Sequence, residues 1–357
     1  MLVNKPCVFY LGSDTLVYLF KNVLLEMLEL NDIYVSFPIV KDEGAKEAFL
    51  KLFPGKSSRI KNPVEIFFKL KNKNAAFIVG NDWGAEVKLL IKLARKLNIV
   101  SVALQESVVD LSNTSNRYLF SDMVFAQGII SKELMRRSNV EITGNPRYES
   151  LSYHHGNTNG ALINCNFTYG IFEDVRDDWI KSVSHALKNT RVEFKISKHP
   201  RDFSNLEGLE NYVIPSHAGV VHKQVINSKF LITRFSSLIH EALLLGRPVI
   251  YYNPHNENMG YEFKPDGIVL IEAKNQEELE NAICHINTYD FQVSDFQNYI
   301  SPHLANSYSI SEPPSSVVVK KILSLKHSYA GQAEIQVIRE MYILLKEFIY
   351  KKLKVKK

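Results

Sequence analysis

Residues 233–243 read Thr-Arg-Phe-Ser-Ser-Leu-Ile-His-Glu-Ala-Leu and follow an apolar run at 229–232. Two serines at a strand-to-helix junction, Ser236 and Ser237, bring hydroxyls and unpaired backbone N–H groups to the start of a helix. The helix dipole adds positive potential there, so the junction has the chemistry of a phosphate site, with Arg234 as an adjoining cation. Glu241 stands four residues after Ser237, on the same helical face. It is placed to accept hydrogen bonds from ribose hydroxyls while the serines hold phosphate. The plainer reading is an ordinary N-cap followed by a solvated glutamate.

A second constellation, Lys198-His199-Pro200-Arg201, comes directly after a strand-like run at 192–197. Basic side chains at the carboxyl end of a parallel strand face the crevice in which ligands of such sheets bind. His199 is the candidate catalytic group, donating to a phosphate oxygen as a nucleotide leaves. Lys198 and Arg201 would neutralise phosphate charge. The competing reading is a polar turn in which Pro200 ends the strand. Both constellations lie in the same half of the chain and both suit one anion, which favours the site over two coincidental turns.

The elements that must carry these residues are legible as alternating strands and helices. In the first half, apolar runs at 7–11, 75–79, 99–104 and 121–126 are predicted strands, with another at 33–38. Helices are predicted over 16–30 and 86–97, with Ser131 capping a short one that ends near 138. Gly12-Ser13-Asp14 ends the first strand, so the backbone at Gly12 and Ser13 is a candidate acceptor-side contact or a plain tight turn. Residues 153–160, Tyr-His-His-Gly-Asn-Thr-Asn-Gly, are the predicted linker. The alternation then restarts, with strands at 161–167, 192–197, 229–233 and 248–252 and helices at 177–188, 220–227, 236–245 and 276–286. Two such series predict two doubly wound α/β domains. Their expected extents are 1–150 on the acceptor side and 151–330 on the donor side, with a helix and basic tail over 331–357.

The order His199-Pro200-Arg201 … Arg234-Phe235-Ser236-Ser237 … Gly246-Arg247-Pro248 resembles the C-terminal domain of bacterial surface-polysaccharide transferases of the GT-B fold. The pattern is similar to capsule Kdo and sialic acid transferases, which use CMP-sugars, and to CDP-glycerol glycerophosphotransferases. The resemblance implies two Rossmann-like doubly wound domains facing a cleft, without a metal or other cofactor. It implies phosphate contacts for His199, Ser236 and Ser237 and a ribose contact for Glu241. Ser121-Asp122-Met123-Val124 and Ile142-Thr143-Gly144-Asn145-Pro146-Arg147 resemble a passage before the interdomain linker of the same group, found also in UDP-GlcNAc 2-epimerase relatives. The likeness covers roughly 95–255. The chain departs from it in two places. Gln105-Glu106 stands where the glycerophosphotransferases carry His-Gly, and Asn164 to Gly170 lacks the acidic cluster of some Kdo transferases, though Glu173 and Asp174 follow. Glu106, at the end of a predicted strand, is the candidate catalytic base; its other reading is a surface-loop carboxylate. Asn253-Pro254-His255 is a candidate contact to base or sugar.

Composition narrows the alternatives. The 357 residues carry a net charge of +5, and five lysines fall among residues 351–357; without these five, basic and acidic residues balance. No chain-wide basic field speaks for nucleic acid, whereas the C-terminal lysines suit either a solvated tail after a packed helix or a patch against anionic lipid at the inner face of the plasma membrane. Three widely spaced cysteines, Cys7, Cys165 and Cys284, fit neither a disulfide framework nor a zinc site, and buried free thiols at Cys7 and Cys165 fit a cytoplasmic protein. No apolar run approaches the roughly 18 residues that span a bilayer. The chain has no glycine-rich dinucleotide fingerprint and no P-loop.

The leading expectation is a transferase moving a sugar from a nucleotide donor, CMP-activated Kdo or sialic acid in type, onto a surface polysaccharide or lipid-linked glycan. The alternatives are a UDP-sugar transferase or UDP-GlcNAc 2-epimerase relative and, from another class, a non-catalytic binding subunit on the same fold.

Overall fold

The computed structural model describes residues 5–39, 44–106, 118–154, 156, 158–167, 172–198, 202, 204, 206–216, 220–257, 264–307 and 312–325. The chain divides into two compact units, one built from residues before 150 and from 304 onward, the other mainly from 150–303.

The first unit runs β1 (Cys7–Tyr10), α1 (Asp14–Met27), β2 (Ile33–Ser36), α2 (Ala45–Leu52), α3 (Pro63–Leu70), β3 (Ala76–Val79), α4 (Ala85–Lys96), β4 (Val100–Leu104), β5 (Met123–Ala126), α5 (Ile129–Met135) and β6 (Val140–Ile142). Its six strands are parallel in the order β2-β1-β3-β4-β5-β6. β1, β3 and β4 are buried along their whole length, which is why they read as unbroken apolar runs rather than alternating ones. α1 starts where Ser13 accepts the Leu16 N–H, and it buries Leu16, Val17, Leu19, Phe20, Val23, Leu24 and Met27. Ser131 is not a cap: it lies inside α5, where its hydroxyl accepts from the buried side chain of Gln105, and Gly128 precedes the helix.

The second unit runs β7 (Ala161–Cys165), α6 (Arg176–Asn189), β8 (Phe194–Lys198), β9 (Val213–Ile214), α7 (Val221–Ile226), β10 (Phe230–Thr233), α8 (Leu238–Leu244), β11 (Val249–Tyr252), β12 (Leu270–Ala273), α9 (Gln276–Thr288) and α10 (Val293–Ile300). These strands are also parallel, in the order β12-β11-β10-β7-β8-β9. After His303 the chain returns to the first unit. There α11 (Pro314–Ser324) places Val318, Val319 and Ile322 in the core that α1 covers. The expected second domain extends to residue 330, whereas the chain from 304 onward belongs to the first unit, whose core the apolar face of α11 completes. Lys5 holds its far end, donating to the Leu325 carbonyl and to Asn74 at 2.9 Å each.

The predicted linker is only partly a linker. Tyr153 packs edge-on to Phe296, and its ring fills the space over Gly246, where an added Cβ would lie 2.5 Å from it. The expected helix and basic tail over 331–357 lie outside the described residues. Among the described residues no helix is long and apolar enough to cross a membrane.

α8 and α10 enclose an imidazole pair. The rings of His240 and His303 are 5.0 Å apart, and Tyr299 stacks on His303 at 5.0 Å. Burial pulls His303 down to about 4, and burial together with His303 holds His240 well below its usual value. Both rings are therefore neutral at pH 7. The unfolded imidazole binds a proton near pH 6.5, so stability falls as pH drops from there to about 4, by roughly 3 kcal/mol from His303. Urea unfolding at pH 7 and pH 4 should show this loss, and His303→Phe should remove that part of it. An equal slope in the variant would refute the assignment.

Candidate functional site

In an open parallel sheet, ligands bind beyond the carboxyl ends of the strands, where the strand order reverses. Counting from β7, the second sheet has the order 3-2-1-4-5-6, and its reversal falls between β7 and β10. Those two strands pair from Ala161↔Phe230 to Asn164↔Thr233, so their ends are level. Asn166, Arg234, Ser236 and Ser237 all emerge there. β8 lies on the other side of β7, with Lys198 opposite Cys165 as its last residue. The serine segment and the end of β8 thus stand two strand spacings apart, roughly 10 Å. His199 and Arg201 lie outside the described residues.

The individual groups differ from their predicted uses. Ser237 precedes α8, and its side chain caps nothing in the helix, whereas the Ser236 hydroxyl accepts the Leu238 N–H at 3.2 Å. One N–H expected to face a ligand is therefore already bonded by Ser236. Lys198 turns its ammonium to the carbonyl of Ser204 at 2.5 Å. Glu241 is not a solvated residue: its carboxylate is buried and meets His222 Nε2 at 2.5 Å.

Arg234, predicted as the cation adjoining the serines, is paired within the protein. Its guanidinium is buried against Glu257, with Nε 3.3 Å from Oε2 and Nη2 bonded to Oε1. Nη1 donates to the Asn166 carbonyl at 2.9 Å, and the group lies 4.7 Å from the Phe167 ring and 5.4 Å from the Phe172 ring. Its charge is met by a carboxylate, and its effect is to tie the loops after β7, β10 and β11 together. Asn253 belongs to the same structure, accepting the Glu257 N–H at 2.6 Å. Pro254 and His255 line a cavity of about 10 Å³ with Arg234, Trp179 and Tyr252, enough for a water and far too small for a nucleotide base.

The first sheet has the order 2-1-3-4-5-6, so its reversal falls between β1 and β3. Gly12 and Ser13 follow β1 at that point. The Ser13 hydroxyl is engaged as the α1 cap, and a Cβ on Gly12 would make only ordinary contacts at 3.6 and 3.7 Å. Packing instead demands Gly80, after β3, where a Cβ would fall 2.2 Å from Leu16. Asp82, which follows β3, is wholly buried and accepts the N–H groups of Tyr118, Phe120 and Ser121 at 2.6, 2.8 and 3.0 Å. Glu106 is half-buried at the end of β4, one strand from the reversal. Its N–H donates to the Tyr118 hydroxyl at 3.1 Å, and its carbonyl accepts from Asn145 at 3.3 Å.

Neither thiol at a strand is set up as a nucleophile. Burial pushes Cys7 and Cys165 up to about 12, Cys165 with further help from Asp202, and Cys284 is exposed.

No family model and no curated protein matches the sequence. Solved structures do match its fold. UDP-GlcNAc 2-epimerase from Neisseria meningitidis bound to UDP-GlcNAc has a TM-score of 0.62 at 15% identity, over 90% of this chain and 100% of that one. The Methanocaldococcus jannaschii UDP-GlcNAc 2-epimerase in complex with UDP-GlcNAc and UDP has a TM-score of 0.58 at 15% identity, covering 89% and 99%. The wall teichoic acid polymerase TagF with CDPG reaches 0.51 at 13% identity, covering 90% of each chain. At these identities the likeness is one of architecture: two α/β units, each a doubly wound parallel sheet, of the GT-B type.

Proposed function

We propose that this chain is a nucleotide-sugar-dependent transferase that holds its donor's phosphate at the carboxyl ends of β7 and β10. The observation that carries the reading is the strand reversal beside Asn166, Ser236 and Ser237, with the strand leading into His199 on the far side of β7. Similar folds solved with UDP-GlcNAc, UDP and CDPG support a nucleotide-linked substrate. Negative charge grows on the leaving phosphate as the glycosidic bond breaks. The Ser237 hydroxyl, neighbouring N–H groups and His199 would stabilise that charge without a metal. Glu106 would serve as base toward a glycan or lipid-linked acceptor near Gly12 and Ser13, and the lysines of 351–357 would hold the protein against the inner membrane face.

A thermal-shift panel with CMP, CDP, UMP and UDP tests the donor. A ligand at a hundred times its Kd adds about 2.7 kcal/mol of stability. Ser237→Ala should weaken the stabilising nucleotide about tenfold, the cost of roughly one hydrogen bond to a charged group. If none of the four nucleotides raises the unfolding midpoint, the donor site is disproved.

The second reading is a UDP-GlcNAc 2-epimerase relative, favoured by TM-scores that are higher for the epimerases than for the polymerase. Epimerisation at C2 requires that the C2 proton leave and return. Incubation with UDP-GlcNAc in D₂O should therefore introduce deuterium at C2 under the second reading and leave it unlabelled under the first.

A further inference from the structure

Along β8 the side chains alternate between the two faces of the second sheet. Phe194 and Ile196 belong to the core shared with α6 and α9, so Lys195 stands on the opposite face, as does Glu193 just before the strand. On that opposite face α7 is six residues long, roughly 9 Å, against about 17 Å for the five residues of β7 or β8. So short a helix covers only part of the strands, and both Glu193 and Lys195 are exposed. A cavity of about 250 Å³ lies beside its last turn, at the amino ends of β7 and β8, lined by Leu162, Glu193, Lys195, Ile214, Gln224 and Asn227 among others.

The polar groups around this cavity are not used by the fold. Gln224 Nε2 donates to the Pro215 carbonyl, which fixes the amide, and Gln224 Oε1 is then buried with no donor among the described residues. A buried acceptor without a donor is costly, so the cavity suits a molecule that donates there. The Glu193 carboxylate and the Lys195 ammonium stand two residues apart on one strand face, roughly 6.6 Å along the strand. Among the described residues neither has an ion-pair partner, the other included. Their charges cancel, which suits neither a phosphate nor a metal ion. They match a molecule that brings one cation and one anion of its own. Its ammonium would meet Glu193 and Gln224 Oε1, its carboxylate would meet Lys195, and an aliphatic side chain would cover Leu162 and Ile214.

We propose that this cavity is a binding site for a small zwitterion, an α-amino acid with an aliphatic side chain. It stands at the far end of β7 from Asn166, so it is separate from the donor site and does not rest on the transferase reading.

Isothermal titration of L-leucine into the full chain tests the site. Three control ligands each lack part of the match: 4-methylpentanoate has no ammonium, 3-methylbutylamine has no carboxylate, and glucose has neither. Leucine should bind with a Kd on the order of 0.1 mM. Each singly charged analogue should bind at least about tenfold more weakly, the cost of one charge-assisted hydrogen bond, and glucose should give no signal. Glu193→Gln should weaken leucine about tenfold and leave 4-methylpentanoate unchanged, whereas Lys195→Met should weaken leucine about tenfold and leave 3-methylbutylamine unchanged. Both side chains are exposed, so both variants should keep the wild-type unfolding midpoint. Leucine affinity should be the same with and without UDP, whether or not UDP itself binds.

No heat of binding with leucine in millimolar excess would overturn the proposal, leaving the cavity to water. Equal binding of leucine and 4-methylpentanoate, or glucose binding in place of leucine, would overturn it as well. So would leucine affinity unchanged in both variants, because the amino acid would then be held elsewhere.

Discussion

Glu257→Ala should lower the stability of the second unit by about 3–5 kcal/mol, because it removes the carboxylate that meets a buried guanidinium. Arg234 and Glu257 are 5% and 9% exposed. Truncating the carboxylate leaves Nε and Nη2 of Arg234 without their acceptors, with Phe167 and Phe172 nearby. The unfolding midpoint should fall by on the order of 10 °C. The loss should come from the orphaned charge rather than from forfeited attraction, so the double variant Arg234→Met with Glu257→Leu should recover most of it. The same cut releases the loop after β11 from the loop after β10. Glu257→Ala should therefore also weaken nucleotide binding at Ser236 and Ser237, although Glu257 itself would touch no ligand. A single variant within 1 kcal/mol of wild type would show that the pair does not carry this region.

Gly144→Ala should be nearly as costly in the first unit, at about 3 kcal/mol or more, for a backbone reason. Gly144 has φ +79°, and an ideal Cβ there would fall 2.3 Å from the Ala305 carbonyl oxygen and 2.9 Å from Pro314. The left-handed conformation costs a residue with a Cβ roughly 1–2 kcal/mol. The remainder comes from pushing away a segment that cannot move cheaply. The Ala305 N–H donates to the Gln127 carbonyl at 2.8 Å, Asn306 donates to the Thr143 carbonyl at 3.4 Å, and Glu149 accepts the Ser315 N–H at 2.8 Å. The Thr-Gly-Asn-Pro-Arg passage is thus where the returning chain docks before α11. Urea unfolding of Gly144→Ala should show the full loss, while Gly12→Ala, with only ordinary contacts around its added methyl, should change stability by less than about 0.5 kcal/mol. Equal effects at the two glycines would remove the special role given to residue 144.

Much of the architecture was legible in the linear chain because its causes are local. A strand covered on both faces must be apolar throughout, so residues 7–11, 75–79 and 229–233 announce themselves, and β1, β3 and β10 fall within those runs. The helical period marks α1, α4, α6 and α9 for the same reason: each buries one stripe of its own surface. By contrast α2, α3, α10 and α11 and the brief β6, β9 and β12 carry too little pattern to stand out unaided.

The order of the strands is a different kind of fact. Nothing in β7 or β10 specifies that they pair, yet that pairing sets the position of the strand reversal and so of the candidate donor site. The roles of the polar residues follow from such long-range placement. The charge of Arg234 is compensated from 23 residues away, the Glu241 carboxylate is hydrogen-bonded from 19, and Lys5 is bonded across 320. By itself the sequence determined that two α/β units would form and which residue types would stand at the strand ends, since local sterics and apolar burial depend on near neighbours. Only the tertiary structure decided which of those side chains are bound to one another and which still face a ligand, because buried charges and amides take their partners from whatever the packed loops bring within reach.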